Sequence, residues 1–160
     1  MQKIPVRFVV PFLLAFLAAG MACNSLFDPS SDETPAQIEQ DIFKLINDHR
    51  SSIGACELVW NETIAGQARL HSQDMADGTV PFGHDGSDSR FAIIGQTIPW
   101  HKGAEIVALA PTAQAALDAW LASAEHKPYV EGDFRLTGVG VAMAKSGGSF
   151  YATQIFILPN

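Results

Sequence analysis

The chain has 160 residues, a formal net charge of −7 and a pI near 5.0, which is the length of a single domain once a leader is removed. No run of lysine or arginine follows Arg7, whereas surfaces that bind nucleic acids or anionic membranes need clustered basic residues. The composition therefore argues against a nucleic-acid partner and leaves a lipid anchor as the only expected contact with a membrane.

The first 22 residues have the pattern of an export signal. Lys3 and Arg7 give a positive start, and the apolar run over residues 8–19 is short and proline-interrupted. A retained membrane anchor is the alternative, but the run is too short for a comfortable span. We therefore predict a signal peptide over residues 1–22.

Cys23 directly follows a small-residue site, as the lipidated first residue of a bacterial lipoprotein does. Residues 23–36 are rich in serine, aspartate and proline, which predicts a flexible tether. The other cysteine is Cys56, so secretion with a disulfide between the two cysteines is the alternative. We predict lipidation at Cys23 and a folded domain over residues 37–160.

Three helices are predicted in the first three quarters of the chain. A capping box at Thr34 begins the first, which ends by Gly54. The second begins from Asn61 and stops at Gly78. The third follows Pro111 and continues to a histidine near its end, with a tryptophan that should pack in the core beside the second helix.

The C-terminal part of the chain favours strands. The segments "LTGVGVAMAK" and "SFYATQIFIL" are joined by a Ser-Gly-Gly turn over residues 146–148, which predicts a hairpin. Helices first and strands later indicate an α+β fold, with helices packed on an antiparallel sheet.

His84 is the strongest candidate for a metal-ligating or proton-exchanging residue. It lies in the stretch "VPFGHDGSDSR", between two glycines and just before several acids and an arginine. A neutral imidazole there could ligate a metal or exchange a proton near neutral pH. A loop histidine bonded to Asp85 or Asp88 is an equally good interpretation of the pattern.

Glu105 is a lone acid inside the apolar run "KGAEIVALA". Such a residue is seldom buried without a partner, so it is a second candidate, although a strand-edge glutamate facing water would also fit.

Ser123 and His126 are three residues apart at the end of the predicted third helix. On one helix face they could form a nucleophile and its base, while the plain alternative is a cation at a helix C-terminus. His49 and His71 fall within amphipathic helices, which predicts positions at the edge of the core or on the surface.

These pieces, in this order, resemble the CAP superfamily, named for cysteine-rich secretory proteins, antigen 5 and plant pathogenesis-related class 1 proteins. Bacterial members are SCP-like extracellular proteins. The matching segments are "LINDHRSSIG", "LVWNETIAGQARLHSQDMA", "VPFGHDG", "AEIVA", "WLASAEHK", "EGDFRLTGVGVAMAK" and "YATQIF". The resemblance implies an α-β-α sandwich with a central antiparallel sheet and a cleft lined by two histidines and acidic residues, which in several members bind a divalent metal.

Carried over residue by residue, the resemblance places His84, Glu105 and His126 in one cleft, with Ser123 where many eukaryotic members have a second glutamate. Two imidazoles and one carboxylate would hold a zinc ion weakly, with water in the open position.

The resemblance implies a non-enzymatic exported module whose partner is an unknown small ligand or envelope component. The alternatives are a metal-dependent or Ser-His-Glu hydrolase using Glu105, Ser123 and His126, and a lipid or sterol carrier.

Overall fold

A computed structural model describes residues 33–160, so the predicted signal peptide and Cys23 lie outside the described residues. The elements in chain order are α1 (Pro35–Ser52), β1 (Val59–Trp60), α2 (Glu62–Asp77), α3 (Ser87–Gly95), β2 (Trp100–Ala110), α4 (Ala113–Ala122), α5 (Lys127–Val130), β3 (Leu136–Met143) and β4 (Phe150–Pro159). Within residues 33–160, no helix is both long enough and apolar enough to cross a bilayer.

The first two helices begin and end where local signals predict. The Thr34 side chain accepts the backbone N–H of Gln37, and the Gln37 side chain accepts the backbone N–H of Thr34, so the capping box is confirmed. Asn61 caps α2 through the N–H of Ile64, and Gly78 ends that helix in the left-handed conformation (φ 77°).

The strands form one four-stranded sheet in the order β1-β3-β4-β2. β3 and β4 are the predicted hairpin, and β2 pairs antiparallel to β4 along its whole length. The two-residue β1 pairs parallel to β3, so the sheet is antiparallel except at that edge. The α+β class is confirmed.

Helices cover both faces of the sheet. On one face, α1 and α4 enclose a core that includes Ile42, Ile106 and Phe156. On the other face, α2 and α3 enclose a smaller core that includes Ile64, Ile94, Ile155 and Ile157.

The β3 residues Gly138 and Gly140 let α2 approach closely, because a Cβ at either position would lie about 2 Å from the backbone of α2. The chain is therefore an α-β-α sandwich.

Trp120 is a core residue, as predicted, with 1% of its surface exposed. The expectation that it packs beside α2 is wrong, because α4 lies with α1 on the opposite face of the sheet from α2. Its indole N–H donates to the carbonyl of Val107 in β2 at 3.0 Å. The tryptophan therefore fixes α4 to the strand that carries Glu105.

The third helix is shorter than predicted. α4 ends at Ala122, and Ser123 follows it with an extended backbone (φ −84°, ψ 122°). The Ser123 hydroxyl accepts the backbone N–H groups of Glu125 and His126 at 3.3 and 3.2 Å. Serine competes with the helix for backbone partners in this way, so the chain leaves α4 and begins the separate short helix α5.

Candidate functional site

His84 lies in the loop between α2 and α3. Gly83 and Gly86 on either side of it have φ values of 154° and 77°, which a residue with a side chain would rarely adopt. The carbonyl of His84 accepts the N–H of Ser87, the first residue of α3, at 3.0 Å. Its side chain is 45% exposed, so the ring can be reached from solvent.

The His84 ring is oriented by Glu105. Nδ1 lies 2.9 Å from the Glu105 Oε1 atom, and the Glu105 side chain is only 3% exposed. Because a carboxylate accepts hydrogen bonds, Nδ1 is the donor, and Nε2 of the neutral ring keeps its lone pair. The partner is thus neither Asp85 nor Asp88, and the interpretation of Glu105 as a strand-edge residue facing water is wrong.

Arg90 completes this cluster, and sequence reasoning did not assign it a role. From α3 it donates Nε to Oε2 and Nη2 to Oε1 of Glu105, both at 2.7 Å, and Nη1 to the carbonyl of Asp85 at 2.8 Å. Such a two-pronged pair lets a carboxylate be buried, since the opposite charge and the donors replace the lost water. A buried acid is seldom without a partner, and the arginine in the His84 segment was the sequence signal for one.

The second predicted pair, Ser123 and His126, is arranged differently. The Ser123 hydroxyl is engaged with backbone N–H groups, including that of His126. His126 precedes α5 as its N-terminal cap residue, so it is not the C-terminal cation of a longer helix. In the part of the chain that the structure describes, no hydrogen bond joins the serine hydroxyl to an imidazole, and the predicted nucleophile and base are not paired.

A divalent metal ion needs several His, Cys, Asp or Glu side chains that converge on one point. Across residues 33–160, no group of three or more His, Cys, Asp or Glu side chains is close enough to hold one. Both oxygens of Glu105 are engaged by Arg90, so this carboxylate orients His84 and is not free to act as a ligand. The zinc site with His84, Glu105 and His126 as ligands stays a prediction. In the described residues these three side chains do not form a cluster that could hold the ion.

Two surface grooves lie elsewhere on the domain. One, of about 590 Å³, lies at the start of α1 beside Ile38 and Phe150. The other, of about 610 Å³, lies between α1 and α2 and is lined by Leu70 and Val141 together with the charged Glu39 and Arg69. Neither groove is lined by His84, Glu105 or His126.

Comparisons with known proteins show which sequences and folds this chain is similar to. The sequence model described as "CAP: Cysteine-rich secretory protein family" matches residues 43–156. An extracellular protein containing an SCP domain from Bacillus anthracis is 30% identical, with a TM-score of 0.62 over 81% of this chain and 45% of that one. No curated protein matches.

Two further solved structures share the fold at lower identity. A cysteine-rich secretory protein from Staphylococcus aureus is 19% identical, with a TM-score of 0.63 over 79% of this chain and 40% of that one. An outer surface protein from Borrelia burgdorferi is 16% identical, with a TM-score of 0.65 over 76% of this chain and 95% of that one. This chain thus spans less than half of the Bacillus and Staphylococcus chains.

Proposed function

This chain belongs to the cysteine-rich secretory protein (CAP) family, and from that premise we propose that it is an exported, non-enzymatic module that binds a small ligand at His84, or a divalent metal held weakly there by that one ring and by water. The observation that carries the proposal is the hydrogen bond from His84 Nδ1 to the buried Glu105. A histidine that donates one ring N–H to a carboxylate presents its other nitrogen as a fixed, more basic ligand.

The charges of the cluster favour binding by the ring itself. Glu105 and Arg90 carry opposite charges that are joined by two hydrogen bonds, so the buried pair is neutral as a unit. His84 contributes the exposed atoms, and its Nε2 makes no hydrogen bond to any residue in the range 33–160. A metal ion or an N–H or O–H donor would meet one pre-oriented nitrogen lone pair there.

Binding is favoured over hydrolysis because of Ser123. A nucleophilic serine needs its hydroxyl within hydrogen-bond reach of a base. Here the hydroxyl accepts two backbone N–H groups that close the turn after α4. We expect no peptidase turnover that Ser123→Ala abolishes, and turnover lost in that variant would reverse the proposal.

The ligand proposal is tested by calorimetric titration with zinc. We expect one weak, exchangeable site in the wild-type domain, and a loss of affinity of at least about tenfold in His84→Ala. His101→Ala is the matched control, because that histidine is exposed on β2 and should leave zinc affinity unchanged. The same titration of His126→Ala shows whether the His126 ring also ligates the bound zinc. Unchanged zinc affinity in His84→Ala would contradict the proposal.

Export with a lipid anchor at Cys23 is the second part of the proposal. It is supported by the signal pattern over residues 1–22 and by the description of the Bacillus relative as an extracellular protein. Fatty-acid labelling of wild type and Cys23→Ser in a bacterial host tests it. We expect label in wild type alone, whereas equal labelling or none in either would end the lipoprotein proposal and leave plain secretion.

A further inference from the structure

His71 of α2 is buried beneath the loop that carries His84. It is 1% exposed, although its amphipathic helix predicted a position at the edge of the core or on the surface. Its Nε2 lies 2.8 Å from the carbonyl oxygen of Gly83, the residue just before His84. A carbonyl only accepts, so Nε2 carries the ring hydrogen.

The other ring nitrogen of His71, Nδ1, is buried at an energetic cost. Nδ1 is buried and finds no hydrogen-bond partner among residues 33–160. A buried polar atom without a partner is unfavourable, and an apolar side chain at this position would avoid that cost. The one feature of His71 that an apolar residue could not supply is the donor aimed at Gly83.

The bond from His71 is one of three that fix the backbone around His84. Successive carbonyls are held by different donors: Gly83 by His71, His84 by the N–H of Ser87, and Asp85 by the guanidinium of Arg90. The ring then has its own bond to Glu105 on β2. The loop is therefore tied to α2, α3 and the sheet.

We propose that His71 is a positioning residue that acts through Gly83 to keep the His84 ring on Glu105. That this ring binds a ligand rests on the function proposed above, but the positioning itself does not. Without the Nε2 donor, the Gly83 peptide would lose its bond to α2, and the backbone just before His84 would be less restricted. His84 would then spend less time in the orientation in which Nδ1 donates to the carboxylate.

The test compares two amide variants by nitrogen-15 NMR of the imidazole rings. The Nε2 amide of His71→Gln lies as many bonds from Cβ as the histidine Nε2 and can still donate to Gly83. The amide of His71→Asn is one bond shorter and cannot. We expect the ratio of the Nδ1–H to the Nε2–H form of His84 to fall about fivefold in His71→Asn, the equivalent of one hydrogen bond, and to be retained in His71→Gln.

Ser72→Ala is the matched control, because Ser72 is the next buried residue of α2 and bonds to Gly140 and Thr153, away from His84. The proposal is overturned if His84 is unchanged in His71→Asn, if His71→Gln does not rescue it, or if Ser72→Ala changes it equally. Wild-type protein gives a test that needs no variant, since a His71 ring in the Nδ1–H form would also overturn it. Zinc titration of the same variants separates the two proposals. If the ratio of the His84 ring forms changes while the zinc affinity does not, the ligand proposal is overturned and the positioning proposal stands.

Discussion

Two buried glutamates in this domain are each held by an arginine, one between helices and one on the sheet. Glu39 of α1 meets Arg69 of α2 at 2.9–3.0 Å, and Glu105 of β2 meets Arg90 of α3 at 2.7 Å. Both glutamate side chains are 3% exposed, but Arg69 is 39% exposed and Arg90 only 10%. The pairs have the same chemistry and differ in how far water reaches the cation.

The third partner of each carboxylate shows the larger difference. Glu39 accepts the backbone N–H of Val141 at 3.2 Å, on β3 beyond the two residues that β1 covers, so it satisfies a donor at an open sheet edge. Glu105 accepts from the exposed ring of His84. Glu39 therefore completes a backbone hydrogen bond of the fold, whereas Glu105 orients an exposed imidazole, which is the geometry that the proposed ligand site requires. This contrast separates the structural pair from the candidate site.

The largest effect is expected from removing Arg90. Arg90→Met leaves the Glu105 carboxylate buried without its cation and should lower the free energy of unfolding by about 3–5 kcal/mol. Urea denaturation measures the loss, and Arg90→Lys is the control, because it keeps the charge but not the two-pronged geometry. A loss below about 1 kcal/mol would mean that the pair is not buried as described.

Removing Arg69 should cost less. The pKa of Arg69 is raised above its ordinary value, chiefly by its hydrogen bonds to Glu39, although burial opposes the shift. Because Arg69 is partly exposed and Glu39 keeps the Val141 N–H, we expect Arg69→Met to lower the free energy of unfolding by about 2–3 kcal/mol. The same urea titrations check this value. Imidazole NMR should show His84 unchanged, and a His84 ring that moved in this variant would erase the contrast between the pairs.

The local features of this fold could be predicted from sequence, because their causes lie within a few residues. The capping box at Thr34, the left-handed stop at Gly78 and the β3–β4 hairpin all depend on neighbours in the chain. The end of α4 was missed although its signal was local. Alanine-rich periodicity continues past Ala122, but the Ser123 hydroxyl takes backbone donors that a continuing helix would need.

The candidate site depends on tertiary contacts that no local pattern contains. The lone acid Glu105 predicted that some partner existed, the glycines around His84 marked that residue, and the family resemblance placed the two in one cleft. Arg90 was visible in the His84 segment, but its pairing with Glu105 could not be assigned, because that pairing requires α3 to lie against β2. His71 could not be assigned either, because an amphipathic pattern gives the face of a helix but not which loop carbonyl lies above it.

The smallest expected change in stability is the loss of the His84 ring. His84→Ala removes one hydrogen bond from a side chain that is 45% exposed, so the free energy of unfolding should fall by no more than about 1 kcal/mol. Glu105 keeps both bonds from Arg90, and the loop keeps the bonds to the Gly83 and Asp85 carbonyls. Urea denaturation beside wild type and His101→Ala measures the difference. A loss above about 2 kcal/mol would mean that the bond from His84 to Glu105 stabilises the fold, as the bond from the Val141 N–H to Glu39 does. It would then argue against His84 as a side chain oriented for a ligand.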